Sequence, residues 1–144
     1  MRPPDYVAFR RWISDQLDED ERITRAVEDR SAPWDGQWMA DGNSAVRTVN
    51  GHVLFYRHDS GPLKPGLADH VAEWDPARVL REIEAKRQMV RKIHVHHRAP
   101  EWDEPEALGF QCRQCRDGRF PCQTLRLIAY PYSDRPGYQE AWRP

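Results

Sequence analysis

The chain has 144 residues, 39% hydrophobic and 31% charged, with a mean hydropathy of −0.90. That predicts one domain with a small core and a polar surface. A formal charge of −1 argues against any global attraction to nucleic acid or anionic lipid. No apolar run reaches the length of a membrane span, and Met1-Arg-Pro-Pro-Asp5 leads into a charged helix rather than an apolar signal segment, so a cytoplasmic protein is expected.

Twelve prolines and eight glycines predict much irregular chain between short elements. Nineteen of the 22 basic residues are arginine. Guanidinium forks suit phosphate and carboxylate, but these arginines are dispersed and balanced by acids. The composition reads as coding bias more than as a recognition surface.

A helix is expected over residues 6–28. Asp5 is the candidate N-cap, and Tyr6, Phe9, Ile13, Leu17, Ile23 and Val27 recur at helical spacing, widened by Trp12 and Ala26. The acidic run Asp18-Glu-Asp-Glu21 reads as a solvated helix face. A small antiparallel β-meander follows over residues 36–57, with strands at Gln37–Ala40, Ala45–Val49 and His52–Tyr56. Asn50-Gly51 predicts a type I′ turn between the last two, and Asp41-Gly-Asn43 turns the first pair. Trp34, Trp38 and Tyr56 are expected to cover a thin core.

Residues 60–66 read as a loop. Asp75-Pro76 then starts a long second helix over residues 76–94, Asp capping and Pro preset at the first position. Val79, Ile83, Lys86, Val90 and either Ile93 or His94 form its apolar row. A continued helix would turn His94 and His97 to the buried side and point His96 elsewhere. Arg98 to Leu108 reads as an extended connection. A Cys knuckle and short helix are expected over residues 110–132, with Leu125, Ile128, Ala129 and Tyr132 inward and Pro131 ending the helix. The tail over residues 133–144 is expected to wrap back through Tyr138 and Trp142.

All three cysteines lie between positions 112 and 122, as Cys112-x2-Cys115 and then Cys122. An odd, clustered set in a reducing compartment points to metal ligands rather than a disulfide. A C-x2-C pair with a third thiol and an imidazole is the donor set of a tetrahedral Cys3His zinc site. Gly118 permits the turn that returns Cys122. The fourth ligand is expected to be His94, with His97 second and His70 third. Cys122 at a helix start would have its thiolate favoured by the helix dipole. A reduced metal-free set and an iron–sulfur ligand set are the competing readings.

A catalytic zinc needs an open coordination position and a nearby base. Glu101, Asp103 and Glu104 are available, but no H-E-x-x-H, deaminase or G-x-S-x-G motif is present. A structural zinc tying the long helix to the C-terminal helix is the expectation, with a zinc-dependent enzyme as the alternative. Arg113, Arg116, Arg119 and Arg126 with Phe120 would surround the knuckle and suit a nucleic-acid or protein partner. The apolar face of the first helix is a second candidate for a protein partner.

The segment from His70 to Arg87, with its Asp75-Pro-Ala-Arg-Val-Leu-Arg-Glu-Ile-Glu-Ala-Lys-Arg87 helix start, resembles an uncharacterised family of small proteins from actinobacteria and their phages. Leu17 to Ile23, Ala32-Pro-Trp34, Pro121 to Asp134 and the tail from Tyr138 carry the same resemblance. The family is of unknown function, so the resemblance implies an order of elements and no activity. Its members carry a His near the end of the long helix, which implies His94. They read His-Asp-Pro where this chain has Trp74-Asp-Pro, which implies that no imidazole is needed there. A fainter likeness, in the Pro-Trp and Asp-Pro-Ala-x-Val-Leu segments, is to Ead-like accessory proteins of lambdoid phages and implies a mobile-element accessory role.

Overall fold

A computed structural model describes residues 4–27, 36–56, 63–98 and 110–144. The fold is α+β. Its elements run α1 (Pro4–Ala26), β1 (Trp38–Asp41), β2 (Ala45–Thr48), β3 (Val53–Tyr56), α2 (Leu67–Glu73) and α3 (Pro76–Gln88). A π-helical turn (Met89–Ile93), β4 (His96–Arg98), β5 (Phe110–Cys112) and α4 (Gln123–Ala129) follow, with 3-10 turns at Tyr130–Tyr132 and Glu140–Trp142. They group into two compact units, Met1–Glu19 with Glu84–Pro144 and Asp20–Ile83, the division running through α1 and α3. Among the described residues, no helix is long and apolar enough to cross a membrane.

In the first unit, Tyr6, Phe9, Ile13 and Leu17 of α1 are buried. Their spacing of three and four residues keeps them on one helical face. Phe9 meets Trp142 at 5.0 Å and Phe120 at 5.5 Å, both edge-on, and Trp12 meets Trp142 at 5.1 Å. These edge and tilted geometries are the favoured ones for aromatic pairs. The tail does wrap back: Trp12 Nε1–H donates to the Pro136 carbonyl at 2.8 Å, and Trp12 packs 5.6 Å from Tyr138. The Cβ of any larger residue at Gly137 would lie 2.9 Å from Trp12, at a φ of +86°. Glycine satisfies both constraints at that bend.

α1 departs from the expected helix in two respects. It begins at Pro4, so Asp5 sits inside the first turn instead of capping it. Its inward row also passes through Thr24, 8% exposed, and not through Ile23 at 49% or Val27. Seven residues make about two turns, so position 24 falls beneath Leu17 while position 23 is rotated off the face. The Thr24 hydroxyl donates to the Asp20 carbonyl at 2.7 Å, which satisfies it without a side-chain partner.

The second unit contains a three-stranded antiparallel sheet in the order β1-β2-β3, as the meander predicts. Trp38 pairs with Thr48 and Asp41 with Ala45, while β3 carries an irregularity opposite Val46 and Arg47. The β2–β3 turn differs from a type I′ turn, since Gly51 at +90° has positive φ and Asn50 does not. The Gly51 amide donates to Thr48 at 2.9 Å and the Thr48 amide to His52 at 2.8 Å. This is a three-residue loop with glycine in the left-handed position, the next most favoured hairpin connection. Val46, Leu63 and Ala68 form the core, with Trp38, Ala40, Leu54 and Phe55 packed on it. Trp38 therefore contributes to packing, whereas Tyr56 is exposed.

α2 was not expected. Its seven residues follow Gly66 in the left-handed region at φ +81°, and Val71 and Ala72 pack on the small core. The start of α3 does follow the sequence: Asp75 Oδ1 accepts the Arg78 amide at 2.7 Å with Pro76 as the first helical residue. The expected helix end at Ser31-Ala-Pro33, Trp34, residues 60–62 of the loop at 60–66 and the connection over 99–108 lie outside the described residues.

Candidate metal centre

Four elements bring the site together. α3 ends in the π-turn, where the His94 amide donates to the Met89 carbonyl at 2.8 Å, five residues back. The backbone then leaves the helix at His94 with φ −93° and ψ 51°. This wider turn delivers His94, rather than the exposed Ile93, to the buried side after Val90. Single π turns within helices are often found at functional sites. The helix thus ends at about His94, as expected, and does not continue to His97. The chain instead enters β4, which pairs antiparallel with β5, His96 opposite Cys112 and His97 opposite Gln111.

The strand gives the two later histidines the opposite orientations from those a continued helix would have given them. Alternation along a strand buries His96 and turns His97 to solvent. His96 lies 4.8 Å from the Phe120 ring and 6.2 Å from Tyr6, and its Nδ1–H donates to the His94 carbonyl at 3.3 Å. Its basicity is lowered, first by burial, with the backbone of His94 and Arg119 pulling the other way. His70, the third choice, is an exposed residue of α2 in the second unit, beside Trp74.

The knuckle follows β5 directly. The Arg116 amide donates to the Cys112 carbonyl at 2.9 Å, and the Cys112 amide donates to Asp117 at 3.4 Å. Arg116 takes φ +49°, a left-handed conformation that costs a non-glycine residue on the order of 1–2 kcal/mol. The loop closes through Asp117, whose Oδ1 accepts the Arg119 amide at 2.9 Å. That bond is the largest influence holding its carboxyl below the ordinary range, joined by the charges of Arg119 and Arg126. Cys122 is the N-cap of α4 at φ −64°, ψ 163°.

His94, Cys112, Cys115 and Cys122 present one ligand atom each, all within 4.8 Å of one another, and together could hold a metal ion. His94 Nδ1 lies 3.6 Å from Cys112 Sγ, 3.4 Å from Cys115 Sγ and 3.7 Å from Cys122 Sγ. The three thiols form no disulfide. Cys112, Cys122 and His94 are buried and Cys115 is partly exposed. Sequence reasoning passed over Thr124, whose hydroxyl sits 3.4 Å from Cys115 Sγ. Its place two residues into the helix that Cys122 caps was the available signal.

Electrostatics at this cluster suit a cation. Burial lowers the basicity of His94, which favours the neutral ring that a metal needs. Burial pushes the Cys122 thiol up to about 12, against the Leu125 amide and reinforced by the neighbouring Cys112 and Cys115 sulfurs. The expected stabilisation of this thiolate by the start of α4 is therefore outweighed. Burial also pushes Cys115 upward, but hydrogen bonds from Thr124, Cys122 and Cys112 outweigh it and the thiol is lowered. Three sulfurs this close cannot all ionise unaided, and a coordinated metal is what deprotonates such thiols outright.

The other residues expected around the knuckle divide. Arg113, Arg116 and Arg119 are exposed. Arg126 serves the fold, its Nε–H donating to the Pro121 carbonyl at 2.8 Å. Phe120 is half-buried, packed 5.0 Å from the Tyr6 ring and 4.8 Å from His96.

No curated protein and no solved structure matches the chain. Residues 7–144 match a family described as one of unknown function, and this span takes in most of α1, the sheet, His94 after the π-turn and all three cysteines. The chain belongs to the DUF6221 family of unknown function.

Proposed function

We propose that the protein is a small, non-enzymatic zinc-binding accessory protein whose Cys3His centre is structural and whose zinc-clasped knuckle presents a surface to a protein or nucleic-acid partner. The observation that carries this reading is the set of nitrogen–sulfur separations, 3.4 to 3.7 Å. A tetrahedral zinc with Zn–S near 2.3 Å and Zn–N near 2.0–2.1 Å has N···S edges of about 3.6 Å. Four protein ligands fill a tetrahedron and leave no position for water, which favours structure over catalysis. The zinc would tie the end of α3, the β4–β5 ribbon and the start of α4 together, so that binding free energy becomes folding free energy.

Reduced, clustered thiols fit a cytoplasmic setting. A mobile-element accessory role is the cellular context that the Asp75-Pro76 helix-start likeness favours. The test is metal analysis of the purified protein, which should return one equivalent of zinc, lost in Cys112→Ser with a lowered melting temperature. Under about 0.3 equivalents of zinc, with unchanged melting in the variant, would sink the proposal. A zinc-dependent enzyme would instead show an exchangeable water on the metal by X-ray absorption, with fewer than four protein ligands.

A further inference from the structure

Charge is distributed very unevenly along this nearly neutral chain. Residues 86–98 and 110–126, which carry the π-turn, the β4–β5 ribbon and the knuckle, hold nine basic residues and one acid, Asp117. Residues 99–109, outside the described parts, add four acids, and the whole stretch from 86 to 126 still stands well to the positive side. Several of these cations are engaged in the fold. Arg87 pairs with Asp18 at 2.6 Å, Lys86 donates to the Tyr132 hydroxyl at 3.3 Å, and Arg126 holds Pro121. Five others point to solvent: Arg91 and Lys92 on the π-turn, and Arg113, Arg116 and Arg119 on the knuckle. Among the described residues, the one carboxylate near any of these five is Asp117, 3.8 Å from Arg119, a weak exposed pairing.

We propose that this basic face of the knuckle and π-turn binds the phosphate backbone of nucleic acid. Two features favour phosphate over an acidic protein surface. The exposed residues between Gln111 and Thr124 are Arg113, Gln114, Arg116, Gly118, Arg119 and Gln123, with no apolar side chain among them, while the π-turn exposes Ile93 beside Arg91 and Lys92. A protein interface needs an apolar centre, whereas backbone contacts to nucleic acid come from arginine, lysine and amide groups. Four of the five cations are also guanidinium groups, whose planar forks suit phosphate oxygens, and the fifth, Lys92, is a point charge next to Arg91. A zinc with three thiolates and a neutral histidine has a net charge of −1, too little to cancel the patch. The inference rests on the zinc reading in one respect: the clasp is what holds the loop that bears three of these cations.

The test is fluorescence anisotropy with a fluorescein-labelled 20-nucleotide DNA, single-stranded and duplex, at 50 and 200 mM KCl. Four or five phosphate contacts predict a loss of affinity on the order of 10²-fold between these salts on duplex. Arg113→Gln with Arg116→Gln should reduce the log–log salt slope by about 2, with zinc content and melting temperature retained. Arg91→Gln with Lys92→Gln should do the same from the other element, and Arg47→Gln in the sheet should change nothing. Absence of binding at 50 mM, salt-independent binding, or unchanged slopes in both double variants would overturn the proposal. So would equal affinity for poly-glutamate, which would assign the face to an acidic protein. Binding with the expected slopes in protein that holds no zinc would leave this surface standing and remove only the clasp.

Discussion

The two units reach order by different physical means. The second, Asp20–Ile83, has a core of Val46, Leu63 and Ala68 with half-buried neighbours, which is small in side-chain volume. Its stability leans on backbone pairing between short strands, on turns and on the Asp75 cap. The first has an aromatic core from Tyr6, Phe9, Phe120 and Trp142, and beside it four ligand groups that are unfavourable to bury without a cation. One unit depends on hydrogen-bonded local geometry; the other joins its packing to a cluster that could hold a metal ion. Where little apolar surface is available, each route supplies what a larger core would otherwise provide.

The largest expected effect separates them by metal. Structural zinc contributes about 10–16 kcal/mol of apparent binding free energy in small zinc-finger peptides at pH 7. Removing it with a chelator should therefore abolish amide-exchange protection across residues 110–129, while residues 45–56 of the sheet keep theirs. Equal loss in both units would erase the distinction drawn here.

Phe9→Ala comes next. The ring is fully buried between Phe120 and Trp142, so urea unfolding of zinc-loaded protein should show about 3–5 kcal/mol of destabilisation. Thr124→Val tests the support of the metal ligands. It removes the hydroxyl 3.4 Å from Cys115 Sγ and should weaken zinc affinity by roughly 10–100-fold in a chelator competition. Asp75→Ala deletes the cap on the Arg78 amide and should cost about 1 kcal/mol with no change in zinc stoichiometry. His97→Gln should leave both stability and metal content unaltered, because its ring is exposed on β4. A loss of zinc in that variant would displace His94 as the fourth ligand.

Much of this architecture was legible in the chain. Apolar spacing located α1, α3 and α4, and alternation with turn residues located the three strands to within a residue. Asp75-Pro76 marked the start of α3 because the cap and the fixed proline φ are local properties. α2 escaped notice, since Leu67–Glu73 offers seven residues with one buried alanine and too short a repeat to show a period. The type I′ turn was misjudged because Asn50-Gly51 also fits a loop in which glycine alone needs positive φ. Phe120 reads as a surface aromatic because arginines surround it in the sequence; nothing local shows that Tyr6 and His96 pack against it.

The site divides along the same line. Composition and spacing alone determined that Cys112, Cys115 and Cys122 belong to one cluster, because a two-residue spacer and a glycine-containing return are short-range constraints. Only the tertiary structure decided among the histidines. A periodic helix would have carried His94 and His97 to the same face. The π-turn ends that periodicity at His94, and the strand that follows replaces a repeat of 3.6 with a repeat of 2. That substitution buries His96, exposes His97, and leaves His94 Nδ1 facing the three sulfurs. The choice depended on where one helix stopped, which is settled by the pairing of β4 with β5 across a long separation in sequence.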